Sequence, residues 1–325
     1  MNAASLRAPL AAVLFACTWA ARAGDVPPAA SAGRPLRVVV TVFPVWDWVR
    51  QVAGSDPEGI EISLLPDGGA DLHSRQPSAR DLKTIGECDL FVYVGGESDD
   101  WVAPALEAAP NPDRRVLDLV GALGGDGKAE EAVEGAETGP SGDGGPAAVD
   151  EHVWLSLRLA RKLVGAIADA LSGIDPARAE TYRANAAAYR AGLAALDGEY
   201  AAAVAAAPRR TLVVADRFPL RYLADDYGLA CYAAFPGCSA ETEASFKTVV
   251  FLARKADETG AKALLVMEGR DHRVAEAVRA AAKTENLSVV SFDSLQSSAA
   301  SRAAAGETYL GAMRRNLAAL SAALQ

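Results

Sequence analysis

Only three histidines occur in the 325 residues, His73, His152 and His272, so a transition-metal centre in this chain has to draw on carboxylates as well. Three apolar, β-branched runs each end in an acid: Thr211-Leu-Val-Val-Ala-Asp216, Ala263-Leu-Leu-Val-Met-Glu268 and Ser288-Val-Val-Ser-Phe-Asp293. A fourth run, Glu61 to Pro66, leads into a loop carrying His73, and His152 stands in Asp150-Glu-His-Val-Trp-Leu-Ser156, just ahead of a helical pattern that reaches Ile174. Ligands of open α/β sheets bind beyond the carboxyl ends of the strands, which is where these residues fall. Singly, each has a plainer reading, an acid as a helix N-cap or a histidine as a hydrogen-bonding group. Together His73, His152, Asp216, Glu268 and Asp293 describe a mixed His and carboxylate site of about four ligands, whose donor types suit zinc or manganese. His272, four residues beyond Glu268 at a helix start, is left outside that set.

These side chains need a scaffold that alternates strand and helix. Strand-like runs at Arg37–Pro44, Glu61–Pro66, Asp89–Gly95, Val116–Val120, Thr211–Asp216, Ala263–Glu268 and Ser288–Asp293 are each followed by a helical pattern, which implies βαβ units and mostly parallel sheets covered on both faces. The runs fall into two groups. Between them Tyr182, Tyr189, Leu193, Leu196, Tyr200 and Val204 recur at helical spacing in an Ala-rich stretch, with Asp175 as N-cap, Pro176 at the first helical position and Pro208 beyond the end. One helix of about 30 residues, roughly 45 Å long, therefore joins the groups. The expected fold is α/β with two lobes, each a mostly parallel four-stranded sheet flanked by helices. The lobes are residues 36–175 and 208–325, and the backbone helix is 176–207. Leu310, Met313, Leu317, Leu320 and Leu324 make an amphipathic closing helix. Residues 121–148, rich in glycine and containing Glu130-Glu131, lack apolar periodicity and read as a mobile acidic loop that gathers cations weakly or is a solvated insertion.

Composition narrows the function classes. Hydrophobic residues make up 50% and charged residues 23%, which excludes a disordered or collagen-like chain, and a net charge of -10 argues against a nucleic-acid binder, which needs a basic face. An acidic balance suits a cationic ligand. Residues 1–23 read as a signal peptide: Arg7, the apolar run Ala8–Ala20, and Ala21-Arg-Ala23 as an A-x-A cleavage site. Leu14-Phe-Ala-Cys17 offers a rival reading, a lipobox whose Cys17 would be acylated, with Phe15 out of place in it. No later run approaches the roughly 20 apolar residues of a membrane-spanning helix. Export to an oxidising compartment leads us to expect a disulfide between Cys231 and Cys238, which flank a Pro-Gly turn at a spacing unlike the C-x-x-C of redox enzymes. Cys88, ahead of an apolar run, reads as a buried thiol.

The segment Gly69-Ala-Asp-Leu-His73-Ser-Arg-Gln-Pro77-Ser-Ala-Arg-Asp81-Leu82 and the segment Asp150-Glu-His152-Val-Trp-Leu-Ser156 resemble the two histidine motifs of the substrate-binding proteins of bacterial zinc and manganese ABC transporters, the cluster A-I metal-binding family. Val40-Thr-Val-Phe-Pro44, the run Asp89 to Gly96, the central helix and Asp226-Tyr-Gly-Leu229 are similar as well, and the likeness covers residues 36–325. The resemblance implies that His73 and His152 are ligands from the first lobe and that Asp293 is the last ligand from the second. It also implies a monomeric, periplasmic or envelope-bound protein that captures zinc, with manganese or iron as the alternatives, and delivers it to an ABC-transporter membrane permease. The third ligand departs from the family pattern. Alignment on Tyr227 puts Arg217 there, and a guanidinium does not bind a cation, so Asp216 is the expected substitute and Glu268, usually a support behind the site, the reserve. Relatives tuned for zinc often fill the loop before the second motif with histidines, and this loop has none. Two other readings stay open. One is an exported metal-dependent hydrolase with Glu268 as base, although no H-E-x-x-H occurs. The other is a binding protein for an anion held by Arg217. No phosphate-binding G-x-x-x-x-G-K-[ST] run exists that would let this chain hydrolyse ATP itself.

Overall fold

The computed structural model describes residues 34–54, 59–65, 76–130, 133–136, 149–237, 243–269, 272–297 and 299–325. His73, Cys17, Cys238, the expected signal peptide and the loop residues 137–148 lie outside the described residues. The first lobe runs β1 (Leu36–Val40), α1 (Phe43–Ala53), β2 (Ile60–Leu64), α2 (Ala79–Gly86), β3 (Leu90–Tyr93), α3 (Val102–Ala108), β4 (Arg115–Asp118), α4 (Leu119–Leu123) and α5 (Leu157–Ile174). α6 (Ala179–Ala206) follows, and then the second lobe: β5 (Thr211–Phe218), α7 (Arg221–Tyr227), β6 (Ala230–Pro236), α8 (Phe246–Thr259), β7 (Ala263–Met267), α9 (Arg273–Ala281), β8 (Ser288–Phe292), α10 (Ala299–Ala304) and α11 (Tyr309–Ala323). The two sheets, ordered β2-β1-β3-β4 and β6-β5-β7-β8, are wholly parallel and share one topology.

Strand alternation sorts the core. Val38 and Val40 point into one continuous apolar core that also holds Leu212, Val214 and Leu265 of the second sheet, whereas Val39 points into a separate cluster with Phe91 and Trp101. Val213 and Ala215 likewise face an outer cluster with Leu252 and Ala256. This is the period of two expected where both faces of a parallel sheet are covered. The two inner faces thus belong to one core, filled between them by α5, α6 and α11. All six residues of the expected helical stripe, from Tyr182 to Val204, are buried on α6, whose 28 residues span roughly 42 Å. Its entry differs from expectation: Pro176–Arg178 form a 3-10 turn, and the Asp175 carboxylate accepts from Tyr182 Oη (2.9 Å) and Arg178 rather than capping the helix.

Asp47 of α1 ties the helical layer together. Its buried carboxylate accepts from Arg50 (2.6 Å), Tyr189 Oη of α6 (3.2 Å) and the backbone N–H of Tyr309 at the start of α11 (2.9 Å). A buried charge is tolerable only when it is paired and hydrogen-bonded in this way.

Several sequence expectations are corrected. The first strand ends at Val40 and not at Pro44, because Pro44 sits in the first turn of α1, where its missing N–H costs nothing. β6 was not expected: Cys231 stands inside it, opposite Leu212, with Ala233, Ala234 and Phe235 buried behind it. Residues 231–236 are extended over about 16 Å, so a bond to Cys238 requires the chain to reverse just after Pro236. β5 does not stop at Asp216 but continues to Phe218 through a register shift between Val214 and Arg217. The loop expected to be mobile from residue 121 is built into the fold at its start, with α4, a 3-10 turn at Gly124–Asp126 and an antiparallel bridge between Ala129 and Val149.

Candidate metal site

His152 begins a 3-10 turn, Val153–Leu155, and Ser156 caps α5 by accepting from Leu159 N–H (3.0 Å). At four points this segment is fastened to the second lobe or to its closing helix. Tyr222 Oη donates to Asp150 O (2.7 Å), Ser156 Oγ to Asp226 (2.5 Å), Trp154 Nε1 to Ser294 O (2.8 Å), and Tyr309 Oη to Trp154 O (2.5 Å). His152 is fully buried at this junction. Asp150 Oδ1 accepts from its backbone N–H (2.8 Å) and lies 2.8 Å from Nδ1. A carboxylate only accepts, so Nδ1 carries the ring proton and the lone pair of Nε2 points the other way, the tautomer a metal ligand needs. Burial alone would lower the pKa of this imidazole, but the charges of Asp150, Glu151 and Glu130 outweigh it and raise it. Glu151 turns inward to Ser98, accepting from its N–H (3.0 Å) and its hydroxyl. Gly96 makes room for it: a Cβ there would fall 2.9 Å from Glu151 Cβ, and its φ of +95° suits glycine.

The expected acids of the second lobe have distinct surroundings. Asp293 follows β8 in a loop fixed by a reciprocal pair of bonds, Asp293 N–H to Asn316 Oδ1 (2.9 Å) and Asn316 Nδ2 to Asp293 O (2.8 Å). Its Oδ1 accepts from Leu295 N–H (3.0 Å) and Arg302 (2.6 Å), and Oδ2 takes no hydrogen bond among the described residues. Glu268, at the end of β7, accepts from Ser294 N–H (2.6 Å), Ser294 Oγ (2.7 Å) and Ser297 Oγ (3.1 Å), so it clamps the Asp293 loop from behind. Burial pushes its carboxyl pKa up, opposed by the Ser294 bonds and reinforced by the nearby charge of Asp293. Asp216 spends its oxygens on backbone: Oδ2 accepts from Met267 N–H of β7 (3.0 Å) and Oδ1 from Arg217 N–H (2.8 Å). The irregularity in β5 breaks the ladder there, and the side chain replaces the missing carbonyl. His272 occupies the N-cap position of α9, and its side chain makes no capping bond to that helix.

Among the described residues no three His, Cys, Asp or Glu side chains form a cluster able to hold a metal; His73 lies outside them. Two pairs come together instead. Asp293 and Glu268 share the Ser294 loop, while His152 is joined by a carboxylate that sequence reasoning did not select, Glu130. A Cβ placed on Gly237 would lie 3.2 Å from His152 Cε1 and 3.5 Å from Glu130 Oε1. The acidic loop of the first lobe was the sole sequence signal for Glu130.

The chain matches, over residues 38–323, the family model described as zinc-uptake complex component A, periplasmic. It is 30% identical over 292 residues to the zinc-binding protein AdcA of Streptococcus pyogenes serotype M3, covering 88% of this chain and 55% of that protein, so it spans about half the length of that relative. It is 29% identical over 297 residues to the high-affinity zinc uptake system protein ZnuA of Bacillus subtilis, covering 90% of this chain and 89% of that one. Among solved structures it resembles the Zn(II)-bound ZnuA-like domain of Streptococcus pneumoniae AdcA, with a TM-score of 0.69, 28% identity, and coverage of 89% and 99% of the two chains.

Proposed function

This chain belongs to the family of periplasmic zinc-uptake component A proteins, and from that premise we propose that it is an extracytoplasmic solute-binding protein. It captures a divalent transition metal between its two lobes, zinc by preference and manganese or iron as the alternatives, and delivers it to an ABC-transporter membrane permease. It carries out no catalysis and acts as a monomer. His73, His152 and Asp293 are the ligands on this reading, and Glu268 holds the Asp293 loop in place.

The observation that carries the reading is the state of His152: buried between the lobes, fixed in position, and set by Asp150 in the ligand tautomer. A histidine kept only for packing needs no carboxylate behind its ring. The metal is cargo, so the residues have to bind it and also give it up. Ligands must be deprotonated to bind, and a proton or a docked permease that disturbs one of them releases the ion. The test is titration of zinc into stripped protein, with His152→Ala and Asp293→Ala beside the parent. The parent should take up one equivalent, and each variant should lose it or bind it far more weakly; variants that bind like the parent would contradict the assignment.

A further inference from the structure

The two carboxylate oxygens of Asp293 have different surroundings. Oδ1 accepts from Leu295 N–H (3.0 Å) and from Arg302 (2.6 Å), while Oδ2 takes no hydrogen bond among the described residues. We propose that Arg302 is a positioning residue that sets which metal the site prefers: by keeping Oδ1 occupied it leaves Asp293 one oxygen to give, which suits zinc and disfavours manganese. The proposal rests on the metal-binding reading above, with Asp293 as a ligand.

Arg302 is braced so that it stays on Oδ1. Each nitrogen of its guanidinium has an acceptor: Nη2 donates to Asp293 Oδ1, Nε to Ser297 O (3.1 Å) and Nη1 to Glu307 Oε2 (3.2 Å), while Oε1 of that glutamate is taken by Arg315. The guanidinium carbon lies 5.6 Å from the centre of the Phe43 ring, at the start of α1 in the first lobe. Only 13% of the side chain is exposed, so water competes weakly for these bonds. A lysine has one nitrogen and no planar fork, and it does not serve three acceptors that lie in different directions. The backbone contributes as well. Leu295 is fully buried at a φ of +63°, a left-handed conformation that a residue with a side chain adopts only at a cost, and its N–H is the one that occupies Oδ1. The consequence for a metal follows from its coordination. Zinc takes a tetrahedral set of donors, in which a carboxylate giving one oxygen is sufficient; manganese favours an octahedral, oxygen-rich set, which a carboxylate giving two oxygens helps to complete.

The test compares the parent with Arg302→Met, which keeps a long side chain and removes its charge and donors, and with Arg302→Lys, which keeps the charge. Zinc and manganese affinities are measured by competition with a chromophoric chelator. The visible spectrum of the cobalt(II)-loaded protein reports the coordination, intense for a tetrahedral ion and weak for an octahedral one. The parent should give the intense spectrum. In Arg302→Met we expect the ratio of zinc to manganese affinity to fall at least about tenfold and the cobalt bands to weaken, with Arg302→Lys in between. Equal weakening of both metals with unchanged cobalt bands is the result of a brace that only stabilises the loop, and it overturns the proposal. Weak, octahedral cobalt bands in the parent overturn it without any variant, so an Arg302→Met chain that does not fold leaves the test intact. A parent that takes up no metal, or an Asp293→Ala variant that binds zinc like the parent, removes the metal-binding reading or the ligand assignment itself, and the proposal with it.

Discussion

At the residue scale the work is divided between groups that face the cleft and groups that hold them. Asp150 is of the second kind. It sets the proton on Nδ1 of His152, so Asp150→Asn removes the charge that orients this imidazole while keeping the side chain's shape. Zinc affinity should fall by about 10- to 100-fold with the fold retained, as read by chelator competition and circular dichroism; unchanged affinity would mean that His152 does not bind through Nε2. The sequence motif made His152 legible, because its neighbours Asp150, Trp154 and Ser156 are all used locally to place it. Glu130 was not legible, because its meeting with His152 and Gly237 is a tertiary contact that no local spacing in the sequence announces. Cys88 shows the opposite case, a group whose chemistry is suppressed. Its thiol is buried and its pKa is pushed from 9.0 to about 12, mainly by burial. It should resist iodoacetamide at pH 8 in the native protein and react once the chain is unfolded. Because the unfolded thiol gives up its proton first, this group's stabilisation is complete below pH 9 and is lost as pH rises towards 12.

At the element scale, helices whose burial is one-sided could be read directly. The spacing of Tyr182, Tyr189, Leu193, Leu196, Tyr200 and Val204 marks the face that α6 buries. β6 escaped notice because its run Ala230–Pro236 combines small residues and a cysteine with a following Pro-Gly, a composition that looks like a turn even though pairing with β5 makes it a strand. The start of the acidic loop was misread for a related reason. Glycine and acid content lowers local propensity, but the Lys128, Val133 and Glu134 contacts are tertiary and leave no periodic trace. Asp47 joins three helices, and Asp47→Ala would leave the Tyr309 N–H and the Tyr189 hydroxyl buried without their acceptor. Urea unfolding should report a loss of about 2–5 kcal/mol; a change below about 0.5 kcal/mol would show that α1, α6 and α11 are held by apolar packing alone.

At the scale of the whole molecule, the two lobes repeat one topology yet share a single core, and the His152 segment is hydrogen-bonded to the far lobe at four places. A molecule joined in this way has no dry hinge to swing about. Uptake and release should therefore involve the loops at the cleft mouth, with the lobes nearly fixed: X-ray scattering should give the same radius of gyration with and without zinc within experimental error, and a clear contraction on binding would contradict a stiff α6. The sequence implied both lobes and the connecting helix through the alternation of apolar runs. It did not show how much the lobes share, because that depends on which faces of the two sheets turn towards each other.

The central claim, that this chain carries a transition metal as cargo, is tested most directly by stripping the purified protein, offering it equal zinc and manganese, and measuring bound metal by elemental analysis. One equivalent of metal per chain, predominantly zinc, is the expected result. No stoichiometric metal of either kind would contradict it, and the cleft would then have to be explained by an anion held at Arg217.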